Sequence, residues 1–313
     1  RTDQNRLLGI NVILSIRVGH FTCLIVLILQ IVHMKKWLIL FFLSGSLLAF
    51  SSITGFHEKP VPIPPSVQRT GNADSGLEYI IRGDYVKSGL PLGLYKMGIG
   101  RSRDSLLSRP GIPSFIRYDF NLVKADNGEE IVVPNCLQCH AEVFNNKLII
   151  GLGNANGDFT RNQKLNSKAF EKLGLAFLKM QPRKYEAAKE FVQVGMTIGD
   201  QLFTDVRGVN PADRLAALLI AHRDRNTLEW HDSASIEVPK EVIPTDVPAW
   251  WMLKKKNAMF YNGFGRGDFG RFLMGSILLT VTDTAHANRV DAHMNDVLAY
   301  IYSLQPPPYP MAI

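Results

Sequence analysis

The chain has 313 residues, 46% apolar and 20% charged, which is enough for one or two domains with a true core. Its formal charge of +7 is concentrated at the start: residues 1–51 hold Arg1, Arg6, Arg17, Lys35 and Lys36 against Asp3, and the remaining 30 basic and 27 acidic residues leave +3. That balance, with no basic tract interleaved with aromatics, argues against nucleic acid as a partner.

Residues 1–33 contain no methionine, the first being Met34. From there Met34-Lys35-Lys36 reads as a basic n-region and Trp37 to Phe50 as an apolar h-region. Small residues at Ala49, Ser51 and Ser52 offer a cleavage site. Residues 34–52 are expected to be a signal peptide or a membrane anchor, and 1–33 a spurious upstream or leader segment. The competing reading makes Ile10–Val32 a membrane span, against which Arg17 and His20 count. Either way the rest of the chain is placed outside the cytoplasmic membrane, in the periplasm or anchored beside it.

Residues 53–74 read as a proline-rich linker, with Glu58-Lys-Pro-Val-Pro-Ile-Pro-Pro-Ser66 at its centre. A short helix is expected from Asp74 to Tyr85, with Ser75 as its cap. Gly89 to Gly100 alternates glycine with apolar residues and reads as an ordered loop. Its Gly98-Ile99-Gly100 follows no strand and lacks the third glycine of a dinucleotide fingerprint. Phe115–Val123 and Glu130–Val133 are β-rich and flank Asp126-Asn127-Gly128, so they predict a hairpin that delivers the chain to Pro134-Asn135.

Next comes Cys136-Leu-Gln-Cys139-His140. Two cysteines three apart followed at once by histidine is the attachment pattern of a c-type haem. Each thiol adds to one porphyrin vinyl group. The spacing sets both sulfurs on one side of a helical turn, and His140 then faces the iron as proximal ligand. A zinc site would need a second ligand pair, which the sequence lacks, the third cysteine being Cys23 in the apolar N-terminal region. A thioredoxin-type pair would need a βαβ setting. One covalently attached haem c is therefore the expected cofactor, in keeping with export.

After the motif, Lys147–Gly151 reads as a third short strand and Gly151–Asp158 as a turn-rich loop without the carboxylate spacing of a calcium site. A helix is expected from Ser167, broken at Met180-Gln181-Pro182. A second then runs from Pro182 to about Phe203, with Ala187, Phe191, Val194 and Ile198 on one face. Asn210 is expected to cap a third helix with Pro211 in its first turn. Trp230–Thr245 reads as a linker. The densest aromatic stretch follows, with Trp250, Trp251, Phe260, Tyr261, Phe264, Phe269 and Phe272 interrupted by glycines. Val290–Leu304 is an amphipathic closing helix stopped by Pro306.

The fold class expected is mainly α: a cytochrome c-like haem domain over 75–305, with a small β-hairpin before the motif and a long helical insertion. Residues 306–313 would start a further linker. The iron's sixth position has Met259 as first candidate and Met274 as second, followed by Met252, Met294 and His293; each is equally read as core filler or surface. His222 and His231 flank a helix end, which favours a cation in any case. Trp250 and Trp251 either wall the haem or fill the core. Arg266 and Arg271 either meet haem propionates or are solvated. Lys254-Lys255-Lys256 is a solvated face or a surface that steers an acidic redox partner.

The pattern Val247-Pro-Ala-Trp-Trp-Met-Leu-Lys-Lys-Lys-Asn-Ala-Met-Phe-Tyr-Asn-Gly263, downstream of the haem motif, resembles the distal segment of bacterial dihaem c-type cytochromes. That superfamily includes dihaem cytochrome c peroxidases, MauG-like enzymes and rubber-oxygenase-like proteins. The resemblance covers residues 75–305 and implies that the aromatic segment lies over the haem. The sequence departs from the family in having no second haem motif. Two functions stand: an exported electron-transfer cytochrome serving a redox protein or small-molecule donor or acceptor, and the haem half of a peroxidase, oxidase or oxygenase truncated before its second haem. A haem-bearing sensor or adhesive module is a third reading.

Overall fold

A computed structural model of the chain describes residues 35–37, 41, 44, 61–98, 100, 103–160, 175–239, 241, 246–260 and 263–308. It divides into two units, Arg1–Pro62 and Ile63–Ile313. In the first, the described residues 35–37, 41 and 44 are helical; the rest of the expected leader, signal and anchor lies outside the described residues. Among the described residues, no helix is long and apolar enough to cross a membrane.

The second unit is mainly helical, with two small sheets. Its first helix, α1, spans Ala73–Arg82, and its last, α8, spans Thr284–Ser303. Asn72 rather than Ser75 caps α1: it directly precedes the first helical residue, Ala73, and its side chain accepts the Ser75 amide three positions on. Asp283 caps α8 in the same way through His286 N, so the closing helix starts six residues before the expected Val290. The two helices pack tightly against each other. Gly76 makes this approach possible, because a Cβ there would land on the backbone carbonyl of Asp296. Ile80, Ile81, Val290, Met294, Val297, Leu298 and Ile301 fill the seam and belong to the principal core.

Between these helices, β1 (Leu90–Pro91), β2 (Phe120–Lys124) and β3 (Glu130–Pro134) form an antiparallel sheet in the order β1-β3-β2. The expected hairpin is β2–β3, closed by the Asp126-Asn127-Gly128 turn with Val123 opposite Ile131. Leu92–Gly98, read as loop, is the short helix α2; its tyrosine, Tyr95, is fully buried and nucleates a second cluster with Ile116 and Val132. A turn, α3 (Leu137–His140), carries the Cys-x-x-Cys-His motif. A second hairpin follows at once, β4 (Ala141–Phe144) with β5 (Lys147–Ile150), turning through the left-handed Asn145 and Asn146.

The insertion holds α4 (Leu175–Lys179), α5 (Pro182–Ile198) and α6 (Ala212–Ala221). Val194, Ile198, Leu218 and Leu219 bury the α5–α6 contact in a third cluster. The start of the earlier expected helix, residues 167–174, lies outside the described residues. Residues 63–72 do not behave as a free linker. They form an extended strap: Gln68 exchanges hydrogen bonds with Gly267 and Phe269, Arg69 pairs with Asp268 and Asp291, and Asn295 donates to Thr70 O. The side chains that hold it lie some two hundred residues away, so local composition shows only its prolines.

Candidate haem-attachment site

The turn that carries the motif is fixed from below by a chain of buried amides. Asn135 accepts the Leu137 amide at 2.9 Å through Oδ1, and its Nδ2 donates to Tyr118 O and to Asn121 Oδ1. Asn121, fully buried, donates in turn to Ile80 O and Gly83 O at the end of α1, both at 3.0 Å. His140 N closes the turn on Cys136 O at 3.1 Å. The motif therefore sits on the sheet and on the first helix at once, through side chains whose hydrogen bonds are all internal.

Its far end is held by Gly151. The Gly151 amide donates to His140 O at 2.7 Å, and Gly151 O accepts from Trp250 N at 2.8 Å. Gly151 has φ +90°, and a Cβ there would lie 2.8 Å from Leu304. Both the conformation and the space require glycine. This bridge brings the aromatic segment, 110 positions downstream of the motif, onto the imidazole: the Trp250 and His140 rings stack with centroids 4.6 Å apart and planes at 22°.

Cys136 and Cys139 are both free thiols. Tyr85, buried, donates its hydroxyl to Ile80 O at 2.8 Å and accepts the Cys136 amide at 3.1 Å. Asn210, also buried, donates to Cys139 Sγ at 3.5 Å, and Cys139 O accepts the Asn154 amide. Burial pushes both thiols up from their ordinary range, so they rest protonated. Burial brings the His140 imidazole down to about 4, so the ring is neutral and keeps a lone pair for a metal. Its Nδ1 is buried and has no hydrogen-bond partner. An orphaned buried nitrogen costs roughly 1–3 kcal/mol.

The donor set is that of a c-type haem: two reduced thiols on one turn, then a neutral imidazole. Among the described residues, no group of three or more His, Cys, Asp or Glu side chains could hold a bare metal ion.

The other expected site residues divide. Trp250 is buried and stacks on the His140 imidazole. Trp251 is half-buried, its ring near Gly151. Met259 and Met274 are partly buried against the same principal core as Cys136, whereas Met252 is exposed and Met294 is core filler within α8. Arg266 is exposed and donates to Gly263 O. Arg271 lies at the surface, 3.8 Å from Asp268 and 3.7 Å from Asp291. Lys254 donates to Tyr302 O and Leu304 O, so it caps the end of α8. His222 stacks on Trp230, and its Nδ1 meets His231 O. Tyr85, Asn121 and Asn135 carry no site signal in the sequence, and Asn210 reads there only as a helix cap; an asparagine inside an apolar strand, as Asn121 is, was the one available hint. The chain matches no family model, no curated protein and no solved structure.

Proposed function

We propose that this is an exported c-type cytochrome that binds one haem covalently through Cys136 and Cys139, takes His140 as proximal iron ligand, and acts in electron transfer in the periplasm or at the outer face of the membrane. The observation that carries this reading is the conjunction at one helical turn of two free thiols with a half-buried, neutral imidazole. The packing of α1 on α8 beside that turn supports a cytochrome c-like enclosure.

A bound haem supplies a one-electron couple, tuned by its axial ligands and burial. The chain's own residues do the rest. Asn135 and Asn121 hold the turn on α1, so the cysteines keep their spacing. Trp250 fixes the imidazole plane by stacking. Met259, with Met274 as second candidate, would supply the iron's other ligand; both are partly buried against the core that Cys136 also joins. Trp251 borders the same turn through Gly151. The redox partner is a protein or a small-molecule donor or acceptor.

The test is expression with a c-type maturation system, followed by optical spectroscopy. A low-spin ferric spectrum with a sulfur-to-iron charge-transfer band, lost in Met259→Ala, is expected. A high-spin spectrum that shifts with cyanide or peroxide contradicts electron transfer and favours the peroxidase or oxygenase class.

A further inference from the structure

A line of rings leads from the haem-bearing turn to the surface. Tyr85 is buried, with its hydroxyl 3.1 Å from the Cys136 amide nitrogen. Tyr79 is half-buried and packs on Tyr85 with centroids 5.5 Å apart. His293 is exposed on α8 and stacks on Tyr79 at 4.3 Å and 23°. Gly83 leaves room for the Tyr79 ring, since a Cβ there would lie 2.6 Å from it. The series ends in a surface cavity of about 610 Å³ whose lining includes Asp74, Glu78, Tyr79, Arg82, Asp84 and His293.

We infer that this cavity is the port through which electrons reach the haem-bearing turn, by way of His293, Tyr79 and Tyr85, and that the donor it takes is positively charged. The inference rests on the haem reading above and adds the route and the partner. Tunnelling falls steeply across empty gaps, and this route is packed ring on ring as far as the backbone of the residue that bears a thioether. Three carboxylates lie in the lining; Arg82 pairs with Glu78 at 2.7 Å and Lys87, just outside it, pairs with Asp84 at 2.5 Å, so Asp74 leaves these five groups with a net charge of −1. A cationic donor is drawn to such a rim and an anionic one repelled.

The step is a bare electron transfer. The donor would lose one electron to a haem held at this turn, and no bond would break. Burial holds both tyrosine hydroxyls above the ordinary phenol range, so neither gives up a proton at neutral pH.

The test uses the holoprotein at low salt, reduced by hexaammineruthenium(II) or by ferrocyanide in a stopped-flow instrument. Tyr79→Leu and the exposed His293→Ala should each slow the ruthenium reaction severalfold at an unchanged midpoint potential. Asp74→Asn with Glu78→Gln should slow it by roughly tenfold and leave or speed ferrocyanide. As a readout independent of turnover, hexaamminechromium(III) should broaden the resonances of residues 74–84 and His293. A haem-loaded protein whose ruthenium rate survives both Tyr79→Leu and His293→Ala, or whose chromium footprint lies elsewhere, overturns the port alone. A wild-type protein that carries no covalent haem overturns the port and the haem reading together.

Discussion

Replacing Asn121 by alanine tests how the motif is held. Asn121 is fully buried and makes three hydrogen bonds, donating to Ile80 O and Gly83 O and accepting from Asn135. After truncation, Ile80 O keeps Tyr85 and Asn135 keeps Tyr118, whereas Gly83 O loses its side-chain partner. At about 1 kcal/mol for each lost bond, with part of a desolvation penalty for one carbonyl, the loss is about 3–4 kcal/mol. For a domain of this size that is a fall in melting temperature of roughly 6–16 °C. Asn121→Asp should be worse than alanine, because it sets a carboxylate against two carbonyl oxygens. Exposed Asn257, which donates to Ile63 O, is the control, and its alanine variant should stay within about 0.5 kcal/mol. Thermal unfolding followed by circular dichroism reads all three. An Asn121→Ala variant as stable as wild type, or an aspartate variant better than alanine, would refute the buried-amide account of the turn.

Gly76→Ala should destabilise by about 1–3 kcal/mol despite alanine's higher helix propensity, because α1 and α8 must separate; denaturant titration reads the shift. The apoprotein should lose stability as pH falls from about 6.5, where unfolded histidine begins to bind a proton, to about 4, where His140 does so in the fold, and level off below that. Urea midpoints across that range check the sign, and His140→Phe should flatten this component. Trp250→Phe should keep the imidazole orientation seen in the electron paramagnetic resonance of the haem, while Trp250→Leu broadens it; identical spectra for the two would show that stacking does not position the ring.

Local chemistry made some features legible in advance. The β2–β3 hairpin was announced by its Asp-Asn-Gly turn, and α5 by Pro182 at its start. The closing helix was visible in its apolar stripe, although its first turns, polar except for alanines, were not. Asn210 was expected to cap α6, but its buried amide turns to Cys139 instead, and Pro211 takes the cap position. That choice is tertiary, since a buried donor goes to the acceptor that the fold brings near. The strap over 63–72 and the Trp250–His140 stack depend on partners far along the chain, and periodicity carries no trace of them. The structure sets the Cys136–His140 motif on a helical turn between β3 and β4, the local shape its spacing suggested.

The most direct measurement is the intact mass and haem stain of the protein under denaturing conditions after expression with a c-type maturation system. The account predicts a mass increased by one haem, stain that survives denaturation, and loss of both in the Cys136→Ala, Cys139→Ala double variant. A wild-type chain that runs at its polypeptide mass with no stain, or a double variant that still holds haem covalently, would contradict it.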